Sequence, residues 1–175
     1  MKALEYTYDD GGRAAAGYKG VAHDCVVRAI TLATGDSYAH VYRCTLDQIR
    51  WYRELEAMTI PGEGSYRASI RYGVPIHIMR VILMDRDWQY TAVRASTLSL
   101  RYRPELPSDC TNLIVSLSGY QHVAAIVGNV VRDIHDSRQR TLDGFWAPSP
   151  VCRQNAAGGR VAFLNQTDAD LGVAD

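Results

Sequence analysis

Between Ala22 and Gly35 the apolar residues Val26, Ala29, Ile30 and Ala33 recur at the spacing that brings side chains onto one face of a helix. Asp24 is a good N-cap residue and Gly35 a good residue to follow the helix end, which makes Cys25 the first helical residue. A second helical period follows. Ser37 is placed to cap a helix over residues 38 to about 55, with Tyr38, Val41, Thr45, Ile49 and Tyr52 inward and Arg43, Asp47, Arg50 and Arg53 outward. Pro61-Gly62-Glu63-Gly64 reads as a loop, and Ser65 as the cap of a short helix over residues 66–72 that Gly73 and Pro75 stop. The β-branched, apolar run 76–83 predicts a strand, and residues 97–102 predict another. Asp85-Arg86-Asp87 reads as a solvated turn, and the rest of 84–107 shows no clear period.

The second half alternates more cleanly. Residues 113–117 predict a buried strand, Ser118-Gly119-Tyr120 a break, and residues 122–127 and 130–135 a hairpin closed by the two-residue turn Gly128-Asn129. From Asp136 the chain turns polar, passes Phe145-Trp146 and enters a tail rich in Pro, Gly and Ala. The expected organisation is an irregular lead-in over 1–20, one domain over 21–147 and a C-terminal extension over 148–175. The expected class is α+β, with a helical N-terminal half packed on an antiparallel sheet.

Composition narrows the functions. A chain of 175 residues, 47% of them hydrophobic, can bury a core of its own. Equal numbers of basic and acidic residues, 19 of each, argue against general binding to nucleic acid or anionic membranes. No apolar run is long enough to span a bilayer, and the polar start lacks the features of a signal peptide, so a cytoplasmic location with reduced thiols is expected. The cysteines Cys25, Cys44, Cys110 and Cys152 form no Cys-x-x-Cys pair and are not backed by paired histidines, so neither a metal nor another cofactor is expected.

The chemistry of interest begins with the thiol at a helix start. Free N–H groups and the helix dipole favour thiolate there, while the neighbouring Asp24 carboxylate works against it. A thiol also needs a base, and the base an orienting group. Counting outward from the Gly128-Asn129 turn puts Val127 opposite Val130 and Ala124 opposite Asp133, so His122 and Asp133 share a face as diagonal neighbours. Such neighbours lie roughly 7–8 Å apart at Cα, within side-chain reach. Asp133 is the first candidate for the orienting acid and Asp136 the second, and a change of one residue in the turn would reverse them. His135 falls opposite His122, where it would tune the site. His23 and His40 are read as surface residues, and His77 as structural or surface.

A Cys opening the first long helix, then a His on one strand and an Asp or Asn on the next, resembles the papain-like cysteine peptidases. The nearest likeness is to small bacteriophage and bacterial proteins of that superfamily. Their Asp-Cys-Val-x-Arg-Ala-Ile and Thr-Gly are matched by Asp24 to Ile30 and Thr34-Gly35. Their His-centred strand, Asp-x-x-Asp-Ser and Gly-aromatic-Trp are matched by His122, by Asp133 to Ser137 and by Gly144-Phe145-Trp146. The resemblance implies a papain-like fold over about residues 20–147. It also implies a triad of Cys25 as nucleophile, His122 as base and Asp133 as orienting acid, acting on an amide, isopeptide or thioester bond of a protein or peptide. A phage-encoded chain would work in the host cytoplasm or a virion. The family usually has a Gln about six residues before the nucleophile to hold the oxyanion, where this chain has Lys19. Lys19 is therefore the candidate oxyanion donor beside the Cys25 N–H, with Gln121 as a further candidate. The same departure leaves an alternative: a papain-like module with little or no turnover that serves in a virion or binds a host defence protein.

Overall fold

The computed structural model describes residues 3–59, 69–93, 99–102, 106–107 and 111–149, with the side chains of 57–59 excepted. The expected loop at Pro61 to Gly64, residues 66–68 of the expected helix over 66–72 and the extension from residue 150 lie outside this set, while the rest of that expected helix, 69–72, is instead a turn closed by a bridge between Ser69 and Gly73. Strand β1 (Glu5–Tyr8) is followed by helices α1 (Cys25–Thr34), α2 (Tyr38–Thr59) and α3 (Ile76–Met84) and strand β2 (Trp88–Ala92). A single 3-10 turn at Leu100–Tyr102 precedes strands β3 (Asn112–Leu117), β4 (His122–Val127), β5 (Val130–Asp133) and β6 (Leu142–Pro148). The strands form one sheet in the order β1-β5-β4-β3-β6-β2. The class is α+β as expected, but the sheet is mixed: β1 runs parallel to β5, and the other neighbours are antiparallel.

Helix α1 is the centre of the helical layer. Val26, Val27, Ala29, Ile30 and Ala33 are all buried, and they pack against Val123 and Ala125 of β4 and Ile114 of β3. The helix ends where Gly35 takes a left-handed φ of 80° and its N–H returns to the Thr31 carbonyl at 2.9 Å. The Ser37 hydroxyl caps the next helix through the His40 N–H at 3.3 Å, and Tyr38, Val41, Thr45 and Ile49 face inward as expected. The opposite face of the sheet carries a second apolar cluster. There the alternate residues Leu113, Val115 and Leu117 meet Ala124, Ile126, Val131 and Phe145, together with Leu4 and Leu100.

Four further expectations are corrected. Residues 76–83 form α3, not a strand. The buried residues Ile78, Met79, Ile82 and Leu83 repeat at four-residue intervals, and packing of that face on α2 outweighs the weak β preference of the isoleucines. His77 lies exposed on α3, edge-on to Tyr52. Residues 99–102 bridge to Thr141 and turn at Leu100, so no strand runs through the described part of 97–102. Phe145 and Trp146 stand inside β6, between β3 and β2, and not in a polar stretch leading to the tail. The lead-in also belongs to the domain, because β1 joins the sheet edge and Leu4 is buried. The expected turn at Asp85-Arg86-Asp87 is observed, with Asp87 at φ 56°.

Gly144 sits where β6 passes under Tyr90. A Cβ there would lie 2.3 Å from the Tyr90 hydroxyl and 2.6 Å from the Thr91 carbonyl oxygen, and the second contact is to backbone that cannot swing aside. Gly144→Ala is therefore expected to lose about 1–3 kcal/mol of stability in urea unfolding. An unchanged unfolding midpoint would contradict this packing.

Candidate active site

Cys25 opens α1, and Asp24 occupies the N-cap position with φ −93° and ψ 29°. The Asp24 side chain does not cap, contrary to the sequence expectation. It is fully buried, and a buried carboxylate needs its charge met. Arg28, one turn on, donates to Oδ1. The Tyr38 hydroxyl donates to Oδ2 at 2.5 Å, and Arg13 Nε pairs with the same oxygen at 3.0 Å. Lead-in, α1 and α2 are thus tied together at the residue before the thiol. The Asp24 charge is held by two guanidinium groups.

His122 opens β4. The hairpin has the register that the turn implied: Val127 pairs with Val130 and Ala125 with Arg132, with Gly128 at φ 66° in the turn. The His122 ring nitrogen Nε2 lies 2.5 Å from Asp133 Oδ2. Asp133 is 3% exposed and also accepts hydrogen bonds from the Ser137 hydroxyl and the Ile134 N–H, each at 2.7 Å. Burial pushes against its ionisation, but the hydrogen bond and charge of His122, then Ser137 and Ile134, outweigh burial and hold its pKa below the usual carboxylate value.

Cys25 lines the same cavity as the imidazole. Burial disfavours the charged ring, yet hydrogen bonds to Asp133 and to Cys25, reinforced by their electrostatic attraction, push the His122 pKa up to about 9. Nε2 is taken by Asp133, so Nδ1 is the ring nitrogen free to serve a thiol. Both residues stand at element starts, and both line one cavity of about 470 Å³. An acceptor of the thiol proton, itself oriented by a buried carboxylate, is the constellation that activates a nucleophile.

The remaining candidates separate. Gln121 lines the cavity. Lys19 is exposed and is not among the residues lining it. The Arg13 guanidinium takes the carbonyls of Tyr18 and Lys19 at 3.2 and 3.1 Å and draws this part of the lead-in toward Asp24. The Asp136 carboxylate is engaged by Arg138 at 2.8 and 2.7 Å, which leaves Asp133 as the acid at the imidazole. β5 ends at Asp133, so His135 is no cross-strand neighbour of His122, although it still lines the cavity. His23 lines it too, exposed beside the thiol's helix, and His40 stands 3.6 Å from the Cys44 sulfur.

Tyr120 and Arg140 also line the cavity and were not anticipated there. Ser118, Gly119 and Tyr120 are consecutive left-handed residues with φ of 56°, 70° and 63°. The Asp143 carboxylate holds this turn by accepting the N–H groups of Gly119 and Tyr120, both at 2.9 Å. The Ser-Gly pair signals a turn, but nothing local marks Tyr120 as left-handed, since its brace comes from β6. No protein-family model, curated protein or solved structure matches the chain.

The raised pKa of His122 has a consequence for stability. Below pH 6.5, folded and unfolded chains both keep the proton and the full contribution is present; it is lost as pH rises from there through about 9. Relative to His122→Gln, the wild-type protein is expected to lose on the order of 3 kcal/mol of unfolding free energy across that window. Urea unfolding at a series of pH values reads this difference, and parallel pH profiles for the two proteins would contradict it.

Proposed function

We propose that the protein is a thiol hydrolase of the papain-like kind, cleaving an amide, isopeptide or thioester bond in a protein or peptide. One observation carries the reading: Cys25, opening α1, and His122, its imidazole held by a buried carboxylate, stand on the wall of one accessible cavity. The α+β architecture, with the thiol opening the central helix and the base on the sheet, is compatible with the papain-like resemblance. On this reading the chain works in a bacterial cytoplasm, as a phage product, or in a virion.

The Cys25 thiolate, its proton held by His122, adds to the substrate carbonyl carbon, and the C=O electron pair moves onto oxygen. The Cys25 N–H and the Gln121 amide are the donors for that oxyanion. As the carbonyl reforms, the bond to the leaving group breaks and the imidazolium protonates the departing amine or thiol, leaving an acyl thioester on Cys25. Water, deprotonated by the now neutral imidazole, attacks the thioester. The acid product leaves, and the proton returns to the Cys25–His122 pair. Asp133 fixes the imidazole so that one nitrogen serves the sulfur throughout. An amine in place of water would make the same chemistry an acyl transfer.

The position of Lys19 favours the second reading. Losing one oxyanion donor typically lowers kcat by about 100–1000-fold, so a site without it would suit a module kept for binding in a virion or to a host defence protein. The readings part on two measurements. With limiting iodoacetamide at neutral pH, the hydrolase labels Cys25 ahead of Cys44, Cys110 and Cys152. With p-nitrophenyl acetate it releases p-nitrophenol in a burst that Cys25→Ala abolishes, and His122→Ala slows the release by on the order of 100-fold or more. His135→Ala has a smaller effect. Slow, equal labelling of all the thiols and no Cys25-dependent burst would overturn the hydrolase reading.

A further inference from the structure

The cavity at Cys25 has walls of one sign. Val26, Val74 and Ile76 give it apolar surface. The charged or chargeable nitrogen groups on its lining, besides His122, are His23, His135, Arg28 and Arg140, while no Asp or Glu lines it among the described residues. The whole chain has 19 basic and 19 acidic residues, so this lining departs from the composition of the protein. The two carboxylates closest to the reacting groups, Asp24 and Asp133, are 0% and 3% exposed and are already committed to Arg28, Arg13 and Tyr38, and to His122 and Ser137.

Among the cations, Arg28 is buried and bound to Asp24. Arg140 differs: it is exposed and enters no ion pair among the described residues. Its position is nevertheless fixed. Its N–H donates to the Ser137 carbonyl at 3.0 Å, its own carbonyl accepts the Leu100 N–H at 2.9 Å, and Thr141 bridges to Ser99. Ser137 is also the residue whose hydroxyl braces Asp133. The short loop that supports the acid of the triad therefore sets Arg140, whose guanidinium is in no ion pair among the described residues, on the cavity wall. A guanidinium binds a carboxylate through two parallel hydrogen bonds, and the match is tighter than for any neutral side chain.

We propose that this cleft selects acyl substrates bearing a carboxylate next to the scissile carbonyl, as in a peptide with an acidic residue flanking the cleaved bond, and that Arg140 receives that carboxylate. This rests on the thiol-hydrolase reading and names its substrate class. His23 and His135 add to the same preference when protonated. The apolar wall at Val26, Val74 and Ile76 is left for the uncharged part of the substrate.

The test compares two pairs of thiol reagents of nearly equal shape: iodoacetate with iodoacetamide, and acetyl-aspartyl with acetyl-asparaginyl chloromethyl ketone. The readout is the ratio of rates at Cys25 for the anionic and neutral members of each pair, which cancels any general change in the reactivity of the thiol. In both pairs the ratio is expected to fall roughly three- to tenfold in Arg140→Gln, to fall further in Arg140→Glu, and to lie between wild type and Arg140→Gln in Arg140→Lys, which keeps the charge but not the paired hydrogen bonds. At about 1 M ionic strength, where charges are screened beyond about 3 Å, the wild-type ratio should approach that of Arg140→Gln. Ratios that ignore Arg140 and salt overturn the proposal while leaving the hydrolase reading intact. A fall with iodoacetate alone overturns the acidic-side-chain substrate class. If iodoacetamide does not single out Cys25 in the wild-type protein, the hydrolase reading fails and this inference fails with it.

Discussion

A carboxylate taken out of water must have its charge met, and this domain is arranged around two of them. Asp24 is fully buried at the start of the central helix, and Asp133 is nearly so at the end of β5. Meeting the first charge brings Arg13 from the lead-in, Arg28 from the next helical turn and Tyr38 from α2 to one point. Meeting the second brings His122 from β4, Ser137 from the following loop and the Ile134 N–H. Removing one partner from such a cluster leaves an uncompensated buried charge, a loss of about 3–5 kcal/mol, so both clusters fix geometry more firmly than apolar contact alone would. Cys25 follows the first carboxylate directly, and His122 is held by the second. That Cys25 and His122 reach one cavity is a by-product of two electrostatic constraints that each segment must satisfy to fold.

The division of labour around the site follows. The apolar contacts of α1 with β3 and β4 set the helix on the sheet, and they would do so with any small residue at position 25. The hairpin turn sets the register that gives Asp133 to His122. The strained turn at Ser118 to Tyr120, braced by Asp143, carries Tyr120 and Gln121 to the cavity just before β4 begins. Left-handed non-glycine residues cost of order 1 kcal/mol each or more, and such strain persists only where the surroundings over-determine it. Here the brace comes from β6, so the strand farthest from α1 in sequence contributes to the wall of the site.

What the sequence makes legible is what depends on near neighbours. The hairpin could be read because Gly128-Asn129 fixes both the turn and the pairing, and with them the His122–Asp133 relation. Helix α1 could be read because its apolar period is flanked by Asp24 and Gly35. The run of α3 was ambiguous: β-branched residues favour a strand, and the four-residue repeat of Ile78, Met79, Ile82 and Leu83 decides only when α2 is there to receive it. Strands β1, β2 and β6 are short or interrupted by a glycine, and distant partners create them. Gly144 reads as a break until Tyr90 is seen to occupy the place of its side chain. Asp24 was the right residue type for a cap, but Arg13 and Tyr38 claim it, and only its spacing to Arg28 hints at this in the sequence. Lys19 stands at the spacing of an oxyanion donor, yet it is exposed and does not line the cavity. Spacing from the nucleophile says nothing about where Arg13 routes the lead-in.

The claim on which everything functional rests is that the His122 ring joins the Cys25 sulfur to the Asp133 carboxylate. Nitrogen-15 NMR titration of the histidine side chains, in the native protein and in Cys25→Ala, reads that connection directly. The account predicts that His122 stays protonated through neutral pH and titrates at about 9 in the native protein, with a clear fall when the sulfur is removed. A His122 that titrates near the ordinary value of 6.5 and does not respond to Cys25→Ala would contradict it.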